Sequence, residues 1–198
     1  MHKLIIIISL LSVSTLVNGQ NHEFGLRGGL NFSTLKNQKS KLDVYEPKIG
    51  LLIGGIFKHD LNDKFGISSE VLYSMEGANI ENSNQYIRIH RLSIPILASY
   101  NLTKKLKVGI GPELKLQLDV KSNLHGDIAS LYDPLDYGGT LEIEFKPINS
   151  IGISLRNYFG LKYQNRILVS DAEANEIENI KSDKSNVLNM SVTYYFGT

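Results

Sequence analysis

Four basic side chains, Arg27, Arg91, Lys115 and Arg156, and four acidic ones, Glu70, Glu113, Glu142 and Glu144, each sit where polar and apolar residues alternate. Their neighbours of the same parity are rich in Gly, Ser, Thr and Asn. Gathered in one enclosed space, these charges could form a proton or ion path, or they could pair off and fill the space. Pairing is the stronger reading, because an unpaired charge in a dry interior costs several kcal/mol. Replacing Arg156 or Glu113 by alanine is then expected to lower stability without opening a conductance.

Other chemistry is harder to assemble. Cysteine is absent, which removes thiol catalysis, disulfides and Cys-ligated metal. Of the five histidines, His2 lies in the leader described below, His22 at the mature terminus, His59 in a short turn and His125 in a long connection. That leaves His90, three residues before Ser93 in H-R-L-S. On a strand this spacing puts the two on opposite faces, where a base and a nucleophile cannot meet without a bulge. The pairs Gly28-Gly29, Gly54-Gly55 and Gly138-Gly139 precede no helix, so they read as bulges or bends and not as phosphate loops. Asp171, Glu173, Glu176, Glu178 and Asp183 make the last connection acidic, but their spacing matches no EF-hand, and a solvated loop is expected. No catalytic residue, cofactor or metal is expected.

The elements that position the eight charges follow an export signal. Lys3, an apolar run from Leu4 to Leu11 and small residues around Val17 and Gly19 have the layout of a secretory signal peptide, with cleavage expected before Gln20. A spanning helix would need roughly 20 apolar residues. Residues 1–19 are thus read as a cleaved leader and 20–198 as one domain. Loss of Lys3 leaves 20 basic side chains against 20 acidic ones, so nothing attracts nucleic acid. Seventeen glycines, ten tyrosines and no tryptophan favour strands and tight turns.

Alternation with period two, bounded by turn residues, marks strands at 23–33, 48–58, 65–76, 86–100, 107–120, 137–146, 151–163 and 187–196. In the fifth, Leu114, Leu116, Leu118 and Val120 fall on one face and Lys115, Gln117 and Asp119 on the other. Three residues break the pattern: Asn157 lies on an apolar register, and Leu52 and Ile56 on a polar one. Local bulges could repair them. Connections after the second, fourth and sixth segments are short, and those after the first, third, fifth and seventh are longer and polar. In an antiparallel meander that makes one trim end and one loop-rich end, as in outer-membrane barrels.

Periodicity alone does not say whether the apolar face meets lipid or a core. Both signs of charge on the polar faces, apolar runs of the length of a tilted spanning strand, and two bands of aromatics favour lipid. Phe24, Phe65, Tyr100, Phe145, Tyr194 and Phe196 form the band at the trim end, with Phe32, Tyr73, Tyr137 and Phe159 nearer the loops. The fold expected is an all-β, eight-stranded, antiparallel up-and-down transmembrane barrel. Its interior is wide enough only for its own side chains, so an open pore is not expected.

The ending S-V-T-Y-Y-F-G-T resembles the last strand of outer-membrane barrels, whose closing aromatic is read by the barrel-assembly machinery. With F-G-L-R-G-G-L-N-F-S, L-S-I-P-I-L-A-S-Y and V-G-I-G-P-E-L, it makes the chain similar to the small outer-membrane β-barrel family that includes PorT-like proteins. The resemblance implies a monomer in the outer membrane of a Gram-negative bacterium, with some relatives serving secretion or gliding machinery. It brings no catalytic residues. The function expected is structural or interactive, with outer-membrane lipid, the barrel-assembly machinery and a protein at loops 34–46, 120–136 and 164–186 as partners. Two alternatives are an outer-membrane enzyme acting on lipid and a soluble secreted barrel holding a lipophilic ligand in an apolar lumen.

Overall fold

The computed structural model describes residues 22–37, 45–124, 126–164, 166–170, 176–181 and 183–196. The leader, the centre of the first loop, Asp171, Glu173 and the final Gly197-Thr198 lie outside the described residues. Eight long strands form the wall: β1 (His22–Asn37), β2 (Tyr45–Asp60), β3 (Phe65–Ile80), β4 (Tyr86–Asn101), β5 (Leu106–Ser122), β7 (Leu135–Ile148), β8 (Ile151–Tyr163) and β11 (Asp183–Phe196). A two-residue strand, β6 (Gly126–Asp127), adds to β5, and β9 (Arg166–Ser170) pairs with β10 (Glu176–Lys181) as a separate hairpin. Every pairing in the wall is antiparallel, and each joins consecutive members of the eight long strands except the seam that closes β1 onto β11. That seam runs without interruption from Phe24 opposite Phe196 to Asn37 opposite Asp183, so the sheet has no open edge.

Closure satisfies the backbone, and the side chains then divide by parity. Leu26, Ile53, Ile110 and Leu161 are more than half exposed on the outer wall, while Arg27, Glu70, Arg91 and Glu144 are buried inside. A soluble barrel with a lipophilic ligand would have the reverse arrangement. The trim end has the girdle in contact pairs: Phe24 with Phe57 at 4.9 Å, Phe65 with Tyr100 at 5.1 Å and Tyr194 with Phe196 at 5.3 Å between ring centroids.

Several local expectations are corrected. Asp119 pairs with His90 and Gln117 with Arg91, leaving Leu118 as an extra residue in β5. This bulge reverses the phase above it: Val120 is fully buried inside, and Asp119 turns outward beside Lys121. Leu52 and Ile56 point inward along an unbroken ladder to β3 and pack in the lumen, so no bulge repairs them. Asn157 likewise stays in the outward row, opposite Leu141 and Leu188. No bulge occurs at the three glycine pairs, whose ladders are continuous. The inward member of each pair instead sits where a Cβ would lie 2.1 to 2.2 Å from a neighbouring carbonyl oxygen, the close approach of a tightly curved wall. The connection after β3 is a short turn at 81–85, with Asn82 at a positive φ of 54°, because β3 and β4 stay paired to Asn79 and Tyr86.

Candidate functional site

The lumen is the place where the sequence concentrates its polar chemistry. Arg27 (β1), Glu70 (β3), Arg91 (β4), Glu113 and Lys115 (β5), Glu142 and Glu144 (β7) and Arg156 (β8) are all buried in it. Lys58, Glu76 and Asp136 join them and were missed. Their parity already places them inward: Glu76 follows Glu70 and Ser74 at even spacing, and Asp136 precedes Thr140 and Glu142. Lys58 was obscured because the second segment is apolar on both faces.

These groups make two networks. In the lower one, Arg27 Nη1 donates to Glu142 at 2.5 Å and Arg156 Nη2 donates to Glu70 at 2.6 Å. Arg156 Nε donates to Glu142 at 3.0 Å, so this carboxylate bridges both guanidinium groups. Lys58 pairs with Glu144, which also accepts the Tyr195 hydroxyl. Three cations thus balance three carboxylates, and Thr193 and Ser154 accept further guanidinium hydrogens at 2.9 and 3.3 Å. Gly152 is what makes room: a Cβ there would lie 2.5 Å from Glu144 Oε1.

In the upper network Arg91 donates to Asp136 at 2.7 Å and to Gln164 at 2.9 Å, and Lys115 donates to Glu76 at 2.6 Å. Lys115 also stands 3.7 Å over the Tyr158 ring. Two cations face three carboxylates here, and the excess is stabilised by hydroxyls: Ser93 and Thr140 each donate to Glu113 at 2.6 Å. Hydrogen bonds to a charged acceptor are stronger than neutral ones.

Both ends of the column are closed by other groups. Toward the loops, Leu35, Ala78, Ile87, Ile89, Val120 and Tyr132 form a buried apolar layer, with Ile128 and Ala129 packed against it. Ala129 belongs to a short 3-10 turn, Ala129–Leu131, which is tied down by Gln117 Nε2 donating to its carbonyl at 3.1 Å. At the trim end Lys58 and Lys146 lie on the Tyr195 ring at 4.3 and 4.2 Å, beneath a polar depression of about 350 Å³. Lys146 is held by Glu23 at 2.8 Å and Lys107 by Asp60 at 3.4 Å.

The one histidine weighed for catalysis does not meet its serine. His90 faces outward and bonds the Tyr73 hydroxyl, whereas Ser93 faces inward onto Glu113. Among the described residues no group of three or more His, Cys, Asp or Glu could hold a metal ion. Of the acidic residues in the last connection, Asp183 is buried within the wall.

A family model described as "Outer membrane protein beta-barrel domain" matches residues 18–163. Among solved structures, Neisserial surface protein A is similar at a TM-score of 0.58 and 11% identity, covering 89% of this chain and 100% of that one. The attachment invasion locus protein Ail of Yersinia pestis is similar at a TM-score of 0.52 and 12% identity, again over 89% of this chain and 100% of that one. At such identities these two speak to the fold alone. A search of curated proteins finds no significant match.

Proposed function

The chain belongs to the outer membrane protein beta-barrel domain family and resides in the bacterial outer membrane, and from that premise we propose a non-conducting, non-enzymatic barrel that works through its loop end. The observation that supports this reading is the column inside the wall: two ion-pair networks under a buried apolar layer. A transport pathway needs water or an unoccupied polar surface, and here each cation of the column is taken by a carboxylate. With a sealed interior, the surfaces left for recognition are the lipid-facing wall and the parts that rise above it. Those parts are the paired extension of β3 and β4, the β6 segment and the β9–β10 hairpin. A protein partner at these loops, an accessory part in secretion or gliding, folding by the barrel-assembly machinery and a monomeric state all belong to this proposal.

Replacing the β9–β10 hairpin by a short turn tests it. Proteins crosslinked to the wild-type barrel on cells are expected to be lost from that variant, while heat-modifiable gel mobility shows that the barrel still closes. Recovery of the same proteins with both would refute a role for the hairpin. A large stable conductance from the wild type would refute the sealed interior.

A further inference from the structure

Above the last apolar rows, the outer wall carries cations that the lumen does not use. In register, Tyr73, Leu92 and Leu116 form an outward apolar row; Met75, His90 and Asp119 form the next, and Gly77, Arg88 and Lys121 the one above. Lys48 reaches the same height from β2, next to Pro47 opposite Ala78. Lys48 Nζ stands 3.8 Å from the centre of the Tyr86 ring, and the Arg88 guanidinium lies 5.3 Å from it, so two like charges share one aromatic ring. Gly77 puts no side chain between them.

These charges are unmatched. Among the described residues neither Lys48 nor Arg88 has a carboxylate within ion-pair distance; Lys48 has only Asn79 Oδ1 at 3.4 Å, and Arg88 Nε has no acceptor. Lys121 is held by Asp119 at 3.0 Å. Asp127 lines the same depression of about 200 Å³, along with Tyr86, Arg88 and Lys121. Of the three cations, only Lys121 has an ion-pair partner among the described residues, although Glu46 stands in register with Asn79 at the same height. A guanidinium and an ammonium with no carboxylate partner are the pair of groups that bind a phosphate monoester best.

We propose that Lys48, Arg88 and Lys121 around Tyr86 bind the phosphorylated headgroup of an outer-leaflet glycolipid. The location selects this occupant. Four residues separate Arg88 from Leu92, which on a tilted strand is about 10 Å above the last apolar row, within the headgroup layer. The site also faces sideways, where a lipid anchored beside the wall presents its phosphate while its chains lie on Tyr73, Leu92 and Leu116. The inference rests on the loop end facing the cell exterior, as the proposed function does.

The test uses the full-length folded barrel in vesicles of phosphatidylethanolamine containing equal amounts of bis-phosphorylated lipid A and its dephosphorylated form. Lipid retained per barrel after mild extraction is read by mass spectrometry. The wild type is expected to enrich the phosphorylated form at least about tenfold, the worth of one charge-assisted hydrogen bond. K48A/R88A should bring the ratio to one, and R88K should keep part of it. K104A/K105A, at the opposite end, should leave it unchanged. Equal retention of both lipids by the wild type, or undiminished enrichment by K48A/R88A, would overturn the proposal. Displacement of the lipid by equimolar inorganic phosphate would overturn the lipid source in favour of a soluble anion. Thiol labelling of Asp119→Cys on intact cells reads the orientation separately, so a failure of that premise is distinguishable from a failure of the site.

Discussion

Arg156 spans the lower lumen to Glu70 and Glu142, and its removal would leave two buried carboxylates to share Arg27. Breaking such a group from one side costs about 3–5 kcal/mol, since a charge is stranded and not merely unbonded. Arg156→Ala is therefore expected to lower the unfolding free energy in lipid vesicles by about that amount, measured by urea titration of tyrosine fluorescence. Adding Glu70→Gln should recover a large part of the loss, which a purely steric defect would not allow. Asn157 is the opposite case. Its amide lies between Leu141 and Leu188 on the lipid side, so Asn157→Leu is expected to raise stability by about 1–2 kcal/mol in the same titration. Parity makes the inward side of charges such as Glu70 and Arg156 readable from sequence, and the same rule reaches Glu76 and Asp136. It does not reveal which partner each finds, because pairs such as Lys58 with Glu144 cross the lumen between strands far apart in the chain.

Strands are legible here because lipid outside and charge inside impose period two on nearly every segment, and no helix competes for these residues. What the pattern hides is phase. Leu118 continues the apolar alternation of Leu114 and Leu116, so nothing local signals that it is the extra residue in β5; the bulge is set by pairing with β4. Its consequence can be measured, because the chain contains no cysteine and single ones can be introduced without background. Asp119→Cys and Lys121→Cys should react with a bulky water-soluble maleimide on cells, while Gln117→Cys and Val120→Cys should not. Labelling at Val120→Cys with protection at Asp119→Cys would mean the unbroken alternation is the true register. Element ends were less readable than element cores. The continued pairing of β3 and β4 up to Asn79 and Tyr86 lies in a polar stretch, where the hydrophobic period is silent.

At the scale of the molecule, the closed wall decides what the chemistry inside can do. Eight strands leave a lumen that side chains fill, so the charges pair across it as a strut, the stronger of the two readings their sequence pattern allows. The apolar layer of Leu35, Ile87, Ile89 and Val120 was not foreseeable, since it depends on the reversed phase of β5 and on a 3-10 turn with no period of its own. It implies that two barriers lie in series. Loosening the upper one by Ile89→Ser with deletion of residues 128–131 should admit water to Arg91 and Lys115 while the lower network of Arg27, Glu142 and Arg156 still blocks the way. Planar-bilayer recordings are therefore expected to show no stable conductance from the wild type or from that variant. Only the further loss of Arg27 and Arg156 should produce transient openings. Because the lower charges are buried and balanced, the closed state should also depend weakly on salt, with unfolding midpoints in 0.05 and 0.5 M salt nearly equal, whereas a column held by exposed pairs would soften as screening shortens their reach.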